Sequence, residues 1–242
     1  MKERELFSGL AAVPPVMLRL DGRAFHQLTA SQQFKKPYDA GLCKAMADTA
    51  VALLEKSGLE PVFAYTFSDE ISLCFTELPF SGRVEKLDSV SASFAASAFT
   101  LALGVDTPLS FDARVIFLES GQVADYLAWR QAEAWRNHSN AWAQQILIQG
   151  GLSAQQTAKK LKNMKTAALH ELCFAHGVNL AQTPAWQRRG ILVCKETYEK
   201  DGYNPLTEET VRVNRNRVVV KTDIPLFSEK EGKDLVDLLL GR

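Results

Sequence analysis

Apolar residues recur with two different spacings along the first half of the chain, and these spacings predict four strands and two helices. Short alternating or continuous apolar runs predict strands at residues 16–20, 62–67, 71–76 and 111–118. Apolar residues three and four positions apart predict one helix that Asp39 caps and Gly58 ends, and a second helix at residues 84–103. The first half of the chain therefore alternates between strands and helices.

The order of these elements is βαββαβ, which predicts an α+β fold with a ferredoxin-like domain. In that arrangement the first and third strands are antiparallel neighbours at the centre of the sheet. Asp21 directly follows the first strand, and Asp69 precedes the third strand. We therefore expect the two carboxylates to lie close together although they are distant in sequence.

The second half of the chain is predicted to be mostly helical. Gly150 and Gly151 end a first long helical segment, and Ser153 opens the next helix with a capping box. Helices are predicted at residues 125–149 and 228–240, and strands at 190–195 and 217–221 on either side of a polar loop at 202–214. We predict two parts, a first domain at 1–133 and a helical or mixed extension at 134–242 that packs on it.

Charge and cysteine content limit the binding partners and the cellular compartment that we expect. Lys and Arg total 28, and Asp and Glu total 28, so a nucleic acid would have to bind at local basic patches. The four cysteines are scattered without a C-x-x-C pair, which is typical of reduced thiols in the cytoplasm. No apolar run resembles a signal peptide or a membrane span, so we expect a cytoplasmic protein without a membrane partner.

The strand-end carboxylates are the candidate chemistry. Magnesium takes oxygen ligands and commonly uses one or two carboxylates together with substrate phosphates, so Asp21 and Asp69 are candidate metal ligands. The absent side chain of Gly22 would let its carbonyl approach an ion. Glu70 is a candidate third ligand or a supporting group. The alternative to a metal site has equal weight: Asp21 only caps a loop, and Asp69 only forms a turn.

Three further segments are candidates for binding nucleotide or RNA. The loop at residues 25–39 could hold a base and ribose, and Arg83 with Lys86 at a helix N-terminus suits a triphosphate. The basic tract at residues 159–165 could contact RNA phosphates. Each segment can also be explained without a ligand, as an ordinary connection between elements or as a solvent-exposed helix face. His138, His170 and His176 lack metal-ligand spacing and are read as structural or surface residues.

Taken together, several motifs resemble the tRNA-His guanylyltransferase family. They cover about residues 18–133 well and the remainder loosely. The matching segments are Arg19-Leu20-Asp21-Gly22-Arg23-Ala24-Phe25-His26, Phe34-Lys35-Lys36-Pro37-Tyr38-Asp39, Ser68-Asp69-Glu70, Arg83 with Lys86, Phe111-Asp112-Ala113-Arg114-Val115 and the block from Asp125 to Glu133.

The resemblance implies a nucleotidyltransferase that extends the 5′ end of tRNA in the 3′-to-5′ direction. Residues 1–133 would form a palm-like catalytic domain similar to that of polymerases, and the extension at 134–242 would be the candidate tRNA-contacting part. The resemblance also implies two Mg²⁺ ions on Asp21, the Gly22 carbonyl and Asp69, with Asp21, Asp69 and Glu70 as catalytic residues. GTP or ATP would be substrates, and the family is typically tetrameric. The nucleotide-binding residues implied are Gly22, Arg23, Ala24, Phe25, His26, Lys36, Asp39, Ser68, Asp69, Arg83 and Lys86. We predict RNA contacts at Arg130, Asn137, Lys159, Lys162 and Arg188.

One motif departs from the family pattern. Eukaryotic guanylyltransferases carry HINNLYN where this chain has Trp135-Arg136-Asn137-His138-Ser139-Asn140-Ala141, and only Asn137 aligns. The chain therefore resembles the bacterial and archaeal branch that repairs truncated tRNA 5′ ends against a template. The alternatives are a guanylyltransferase that adds G to tRNA-His, a nucleotide cyclase, or a non-enzymatic RNA-binding module. The last would need stacking aromatics, and the first strand has none.

Overall fold

A six-stranded antiparallel sheet organises the molecule in this computed structural model, which describes residues 4–119, 121–204 and 209–242. The strand order is β4-β1-β3-β2-β5-β6. The strands are β1 (Val16–Arg23), β2 (Phe63–Phe67), β3 (Glu70–Phe75), β4 (Ser110–Phe117), β5 (Ile191–Asn204) and β6 (Glu209–Lys221).

Helices pack on both faces of this sheet and extend beyond it. Helices α2 and α3 lie on one face, and the first half of α4 and α8 lie on the other. The helices are α1 (Phe25–Ser31), α2 (Ala40–Glu55), α3 (Val84–Leu103), α4 (Gln122–Gln149), α5 (Ala154–Leu161), α6 (Thr166–Ala175), α7 (Ala185–Arg189) and α8 (Lys230–Leu239), with short 3-10 turns at Pro79–Gly82 and Leu180–Gln182.

The first four strands have the predicted ferredoxin-like arrangement. Strand β1 lies between β3 and β4, antiparallel to both, and Leu18 faces Leu73 across the β1–β3 pair. Because strand side chains alternate, Val16, Leu18 and Leu20 face the α2–α3 side, and Met17 faces α4. The same alternation puts Arg19 and Asp21 on the α4 side, so the register of β1 is determined by which face must be buried.

Local sequence signals set several element boundaries as predicted. The Asp39 side chain accepts hydrogen bonds from the amides of Gly41 and Leu42, which caps α2. Ser153 and Gln156 form the predicted reciprocal capping box of α5. Caps of this kind satisfy amides that have no partner within the helix, so the boundary depends on short-range sequence alone.

Three predicted segments differ from the structure. The connection after β1, predicted as a loop, contains α1, whose Phe25 and Leu28 bury an apolar side in the core. Helix α4 begins at Gln122, three residues before the predicted start. The segment at 202–214 was predicted as a polar loop, but its described residues continue β5 and β6. Hydrogen bonds between these two strands satisfy their backbone groups, so the strands form although their sequences have no alternating apolar pattern.

The extension is partly interleaved with the palm. The second half of α4 packs with α5 and α6 in a separate apolar cluster that includes Ala143, Leu169 and Cys173. Strand β5 nevertheless pairs with β2, and α8 packs on the α4 side of the sheet. Position 133/134 lies within α4, and the division there stays a prediction. Among the described residues, no helix has both the length and the apolar character that crossing a membrane requires.

His138 is a fully buried histidine at the junction between these parts. The Thr183 hydroxyl donates to the Leu180 carbonyl at 2.7 Å, so it accepts from Nε2–H of His138 at 3.0 Å. The remaining nitrogen, Nδ1, is buried and has no partner among the described residues. Burial lowers the pKa of His138 to about 4. The residue is therefore structural, as predicted from its spacing, and neutral in the folded protein.

We expect His138 to make stability fall with acidification. The unfolded chain binds a proton below about pH 6.5 while the folded chain resists protonation down to about pH 4, so stability is lost as pH falls between these values. Unfolding in urea at pH 7 and pH 5 should show that the wild type loses about 2 kcal/mol more than His138→Asn. Equal losses in the two proteins would contradict the buried neutral imidazole.

Candidate active site

The fold brings Asp21 and Asp69 to the same edge of the sheet. The Gly22 amide donates a 3.0 Å hydrogen bond to the Asp69 carbonyl, which joins the end of β1 to the β2–β3 turn. Asp21 lies directly opposite Glu70 in the β1–β3 register, with both residues on the α4 face. Ser68, in a left-handed conformation at φ 52°, makes the tight turn that precedes Asp69. These backbone contacts make Asp21 and Asp69 neighbours in the fold, as the element order predicted.

The electrostatics of this edge favour a cation. Burial raises the pKa of Asp69, and the negative charge of Asp21 raises it further. The Ser68 hydroxyl donates to Oδ1 of Asp69 at 2.9 Å, which opposes the shift. Two partly buried carboxylates that repel each other are stabilised by a shared positive ion.

Gly22 is required at this edge by packing. A Cβ atom at this position would lie 2.3 Å from the ring of Phe25. Phe25 in turn stacks on Phe99 at 4.9 Å and meets Phe111 edge-on. A side chain at Gly22 would therefore displace a core aromatic residue, in addition to crowding any ion near its carbonyl.

Glu70 is held away from solvent by an arginine of α4. Arg130 donates from Nε to Oε1 of Glu70 at 2.8 Å and from Nη2 to Oε2 at 2.5 Å. Ser72 bridges Glu70 to the hydroxyl of Tyr126, at 3.5 and 2.9 Å. Burial raises the pKa of Glu70, while the Arg130 hydrogen bonds oppose that shift. Because both carboxylate oxygens are engaged, the geometry favours Glu70 as a supporting group and not as a third ligand.

The structure contradicts the predicted RNA contact at Arg130. Its side chain is buried, and its guanidinium also lies 4.4 Å from the centroid of the Trp129 ring. A guanidinium that is committed to a buried carboxylate cannot reach an RNA phosphate. The partner that occupies Arg130 is 60 positions away in the sequence.

A pocket of about 430 Å³ opens beside Asp69. One wall comes from the connection before α2 and from α2 itself, and the opposite wall comes from α4 and α7. Five predicted nucleotide-binding residues and one predicted RNA-binding residue line it. These are Phe25, Lys36, Asp39, Ser68 and Asp69, and Asn137.

Two of these lining residues have local structural partners. Both oxygens of Asp39 accept backbone amides, from Gly41 and Leu42 and from Lys35 at 3.0 Å. The Lys35 amide is the largest of the contacts that lower the pKa of Asp39. Lys36 donates to the Thr29 hydroxyl at 3.2 Å and is exposed. Asp39 therefore shapes the wall of the pocket, and the Lys36 ammonium remains accessible from it.

The residues between Gly22 and Phe25 lie at the rim of the site. Arg23 and Ala24 are exposed, and Ala24 takes a left-handed conformation that starts α1. Neither residue is among the described residues that line the pocket. The predicted contact at His26 concerns a side chain that lies outside the described part of the structure.

Arg83 and Lys86 are not brought to this site within one chain. Ala11 pairs with Arg83, and Ala11 precedes β1, whose start faces Phe75 at the end of β3. The first turn of α3 therefore lies at the opposite end of the sheet from Asp21. Within one chain the pair is therefore not near Asp69, because α3 follows the far end of β3, and its contact with nucleotide phosphates stays a prediction. The two residues line a small cleft with Glu5, Phe7, Ser8, Glu85 and Ser89.

The remaining predicted RNA contacts have different surroundings. Lys159 and Lys162 are exposed on α5 and just after it, and they are accessible to a phosphate. Arg188 is half-buried, and its Nε donates to the Thr183 carbonyl at 3.0 Å. Burial lowers the pKa of Arg188, with a further effect from Arg189. The exposed lysines are thus the stronger candidates.

Tyr38 lies in the loop predicted to hold a base and ribose, but sequence reasoning missed Trp186 and Gln187 in the pocket wall. Tyr38 and Trp186 meet edge-on, with ring centroids 5.8 Å apart. It also missed the Arg19 side chain, which lies above the Trp129 ring at 5.7 Å. The alternation in β1 could have revealed Arg19, because it shares a face with Asp21. Residues of α7 carry no such local signal.

The donor set at the edge is suited to magnesium bound together with a substrate. Within residues 4–119, 121–204 and 209–242, no group of three or more His, Cys, Asp or Glu side chains could hold a metal ion. Asp21 and Asp69 provide a pair of carboxylates, and Gly22 adds a carbonyl. Magnesium sites that act on phosphates use such a small carboxylate set and take the remaining ligands from substrate and water.

Comparisons with known proteins agree along the whole chain. The sequence model described as tRNAHis guanylyltransferase matches residues 1–119, and the model described as Thg1 C terminal domain matches residues 121–229. A probable tRNA(His) guanylyltransferase of Drosophila melanogaster is 31% identical over 192 residues, which cover 75% of this chain and 67% of the relative.

Solved structures extend the match to the fold. A bacterial Thg1-like protein in complex with GTP superposes with a TM-score of 0.71 at 27% identity, and one in complex with ATP superposes with a TM-score of 0.78 at 25% identity. Each comparison covers 99% of this chain and 96% of the other. With matches to both family models and to these structures, the chain belongs to the tRNAHis guanylyltransferase family and is a nucleotidyltransferase.

Proposed function

We propose that this protein adds nucleotides to the 5′ end of truncated tRNA in the 3′-to-5′ direction, with a template strand selecting each nucleotide. The observation that carries the proposal is the pairing of Asp21 with Asp69, because Asp69 also lines a pocket of about 430 Å³. Family membership identifies the reaction class, and the changed motif at 135–141 favours repair over strict addition of G.

The chemistry requires that negatively charged phosphates approach two acidic side chains. Asp21, the Gly22 carbonyl and Asp69 are the proposed ligands of two Mg²⁺ ions, which would neutralise phosphate charge and activate the attacking oxygen. The Gly22–Asp69 backbone hydrogen bond keeps the two strand ends in register. Arg130 neutralises Glu70, so that the charge available to the metals is that of Asp21 and Asp69.

The pocket is the proposed site for the nucleoside triphosphate that activates the 5′ end of the RNA. The solved bacterial relatives were in complex with GTP and with ATP, which supports either purine nucleotide as a substrate. Lys36 at the pocket wall offers its ammonium to a phosphate or a ribose. The exposed Lys159 and Lys162 are proposed to hold tRNA phosphates, which position a nucleic acid without reading its sequence. We propose a tetrameric assembly on family membership alone.

Template-dependent addition gives a direct prediction. Several tRNAs with truncated 5′ ends and different opposing bases should each be extended by the complementary nucleotide. Pairing with the template selects the base, so no side chain has to recognise it. Labelled-nucleotide incorporation with each of the four nucleotides in turn measures this selection.

Intact tRNA-His without its additional G is the matched comparison substrate. Addition of a single non-templated G to this RNA, together with no extension of the truncated tRNAs, would establish guanylylation and overturn the repair proposal. The guanylyltransferase names of the curated relatives are the observation in favour of that alternative.

A further inference from the structure

Gln187 is an amide in the pocket wall whose oxygen has no partner. Its Oε1 is buried and accepts no hydrogen bond from any described residue. Gln131 on neighbouring α4 shows the usual outcome for a buried amide. It donates to the Arg189 and Pro225 carbonyls and accepts from the Phe227 amide. Buried polar groups are nearly always paired, so an unpaired amide oxygen beside a pocket indicates a missing partner.

The backbone that carries Gln187 is fixed. The Arg189 carbonyl accepts from the hydroxyl of Tyr65 at 2.8 Å and from Gln131 at 3.3 Å. The Arg189 guanidinium donates to the Ile224 carbonyl at 2.8 Å. A Cβ at Gly190 would lie 2.7 Å from the Tyr65 side chain, so the chain runs tightly against the sheet. Helix α7 therefore holds Gln187 at a constant position in the wall.

The strand order places Gln187 away from Asp21 and closer to Asp69, which lies in the turn between β2 and β3. Asp21 is on β1 and α7 leads into β5, which is three strands away in the order β1-β3-β2-β5. At about 4.8 Å per strand this separation is about 14 Å. A nucleotide whose phosphates face Asp21 would thus direct its base past Asp69 towards α7. Trp186 and Tyr38 supply aromatic surface at that end, where a base can stack.

We propose that Gln187 recognises the base of the bound nucleotide as a purine, an inference that rests on the proposed function of the pocket. The amide oxygen accepts from the 6-amino group of adenine or from N1–H of guanine. The amide nitrogen donates to a ring nitrogen of adenine or to O6 of guanine. Because one amide has a donor and an acceptor side by side, it serves both purines.

Two substitutions separate this role from a structural one. Gln187→Met keeps the length and removes both hydrogen-bonding atoms, so the affinities for ATP and GTP should each fall about tenfold. Gln187→Glu leaves only hydrogen-bond acceptors at this position. Two acceptors suit guanine, whose N1–H and N2 amino group are adjacent donors, but they do not suit adenine, which presents one donor beside one acceptor. In Gln187→Glu the ratio of ATP to GTP affinity should fall about tenfold.

Isothermal titration calorimetry with Mg²⁺ and either ATP, GTP or inorganic triphosphate measures these affinities without turnover. Inorganic triphosphate lacks a base, so its affinity should be the same in all variants. Gln182→Met, outside the pocket, is the matched control and should bind every probe like the wild type. Gln187→Asn is the milder variant if Gln187→Met fails to fold, as judged by thermal unfolding, and it too should weaken both purines.

The outcomes distinguish the two levels of the proposal. Unchanged ATP and GTP affinities in the folded variants, or an equal loss for inorganic triphosphate, would overturn base recognition by Gln187 while leaving the pocket's function intact. A wild-type protein that binds neither nucleotide would overturn the proposed function of the pocket and the inference together.

Discussion

Asp69→Ala and Asp21→Ala should each lower the rate of nucleotide addition about a thousandfold or more, because a catalytic metal contributes several kcal/mol and each 1.4 kcal/mol, roughly, is tenfold in rate. The two carboxylates lie at the sheet edge and are only partly buried. Their loss should therefore leave the core intact, and thermal unfolding of the variants should stay close to that of the wild type.

The site predicts that both substitutions act through metal binding. Single-turnover rates over a Mg²⁺ titration should show that neither variant recovers at high Mg²⁺. Asp237→Ala, exposed on α8, which contributes no residue to the pocket, is the control and should keep the wild-type rate. A folded Asp69→Ala protein with the wild-type rate would show that the carboxylate pair is not the metal site.

Arg130→Ala should be the most destabilising substitution among the charged residues discussed, costing about 3–5 kcal/mol. The bidentate pair with Glu70 is buried, and the side chains of both residues are less than 10% exposed. Removing the arginine leaves the Glu70 carboxylate buried without its counter-ion, close to the negative charge of Asp21. Urea unfolding at neutral pH measures the loss.

Arg136 offers a matched control on the same helix. It pairs with Glu133 one turn away, but its side chain is 63% exposed. Exposed pairs contribute little, so Arg136→Ala should cost less than about 1 kcal/mol. Adding Glu70→Gln to Arg130→Ala should recover part of the loss, since the unpaired charge is then gone. Equal costs for the two arginine variants would contradict a buried ion pair at Arg130.

The two arginines have the same charge on the same helix, and only their surroundings separate them. A sequence comparison cannot rank them, because the burial of Arg130 depends on where β3 lies beneath α4. Charge is visible in the sequence, while the partner that neutralises it is a property of the packed structure.

The sequence by itself determined the local elements and, through their order, the central topology. Periods of two and 3.6 residues placed four strands and two helices, and the caps at Asp39 and Ser153 marked helix starts. The βαββαβ order then made β1 and β3 neighbours, which was enough to predict that Asp21 and Asp69 meet. These features depend on nearby residues or on general rules of chain connection.

Only the tertiary structure decided the features that join distant segments. It showed that α1 forms where the Phe25 side chain packs into the core. It also showed that Arg130 pairs with Glu70 and that Arg83 lies at the end of the sheet opposite Asp21. It also brought α7, with Gln187, to the nucleotide pocket beside residues more than a hundred positions earlier. Such contacts depend on which faces pack together and at what register, and no local period or cap in the chain encodes that relation.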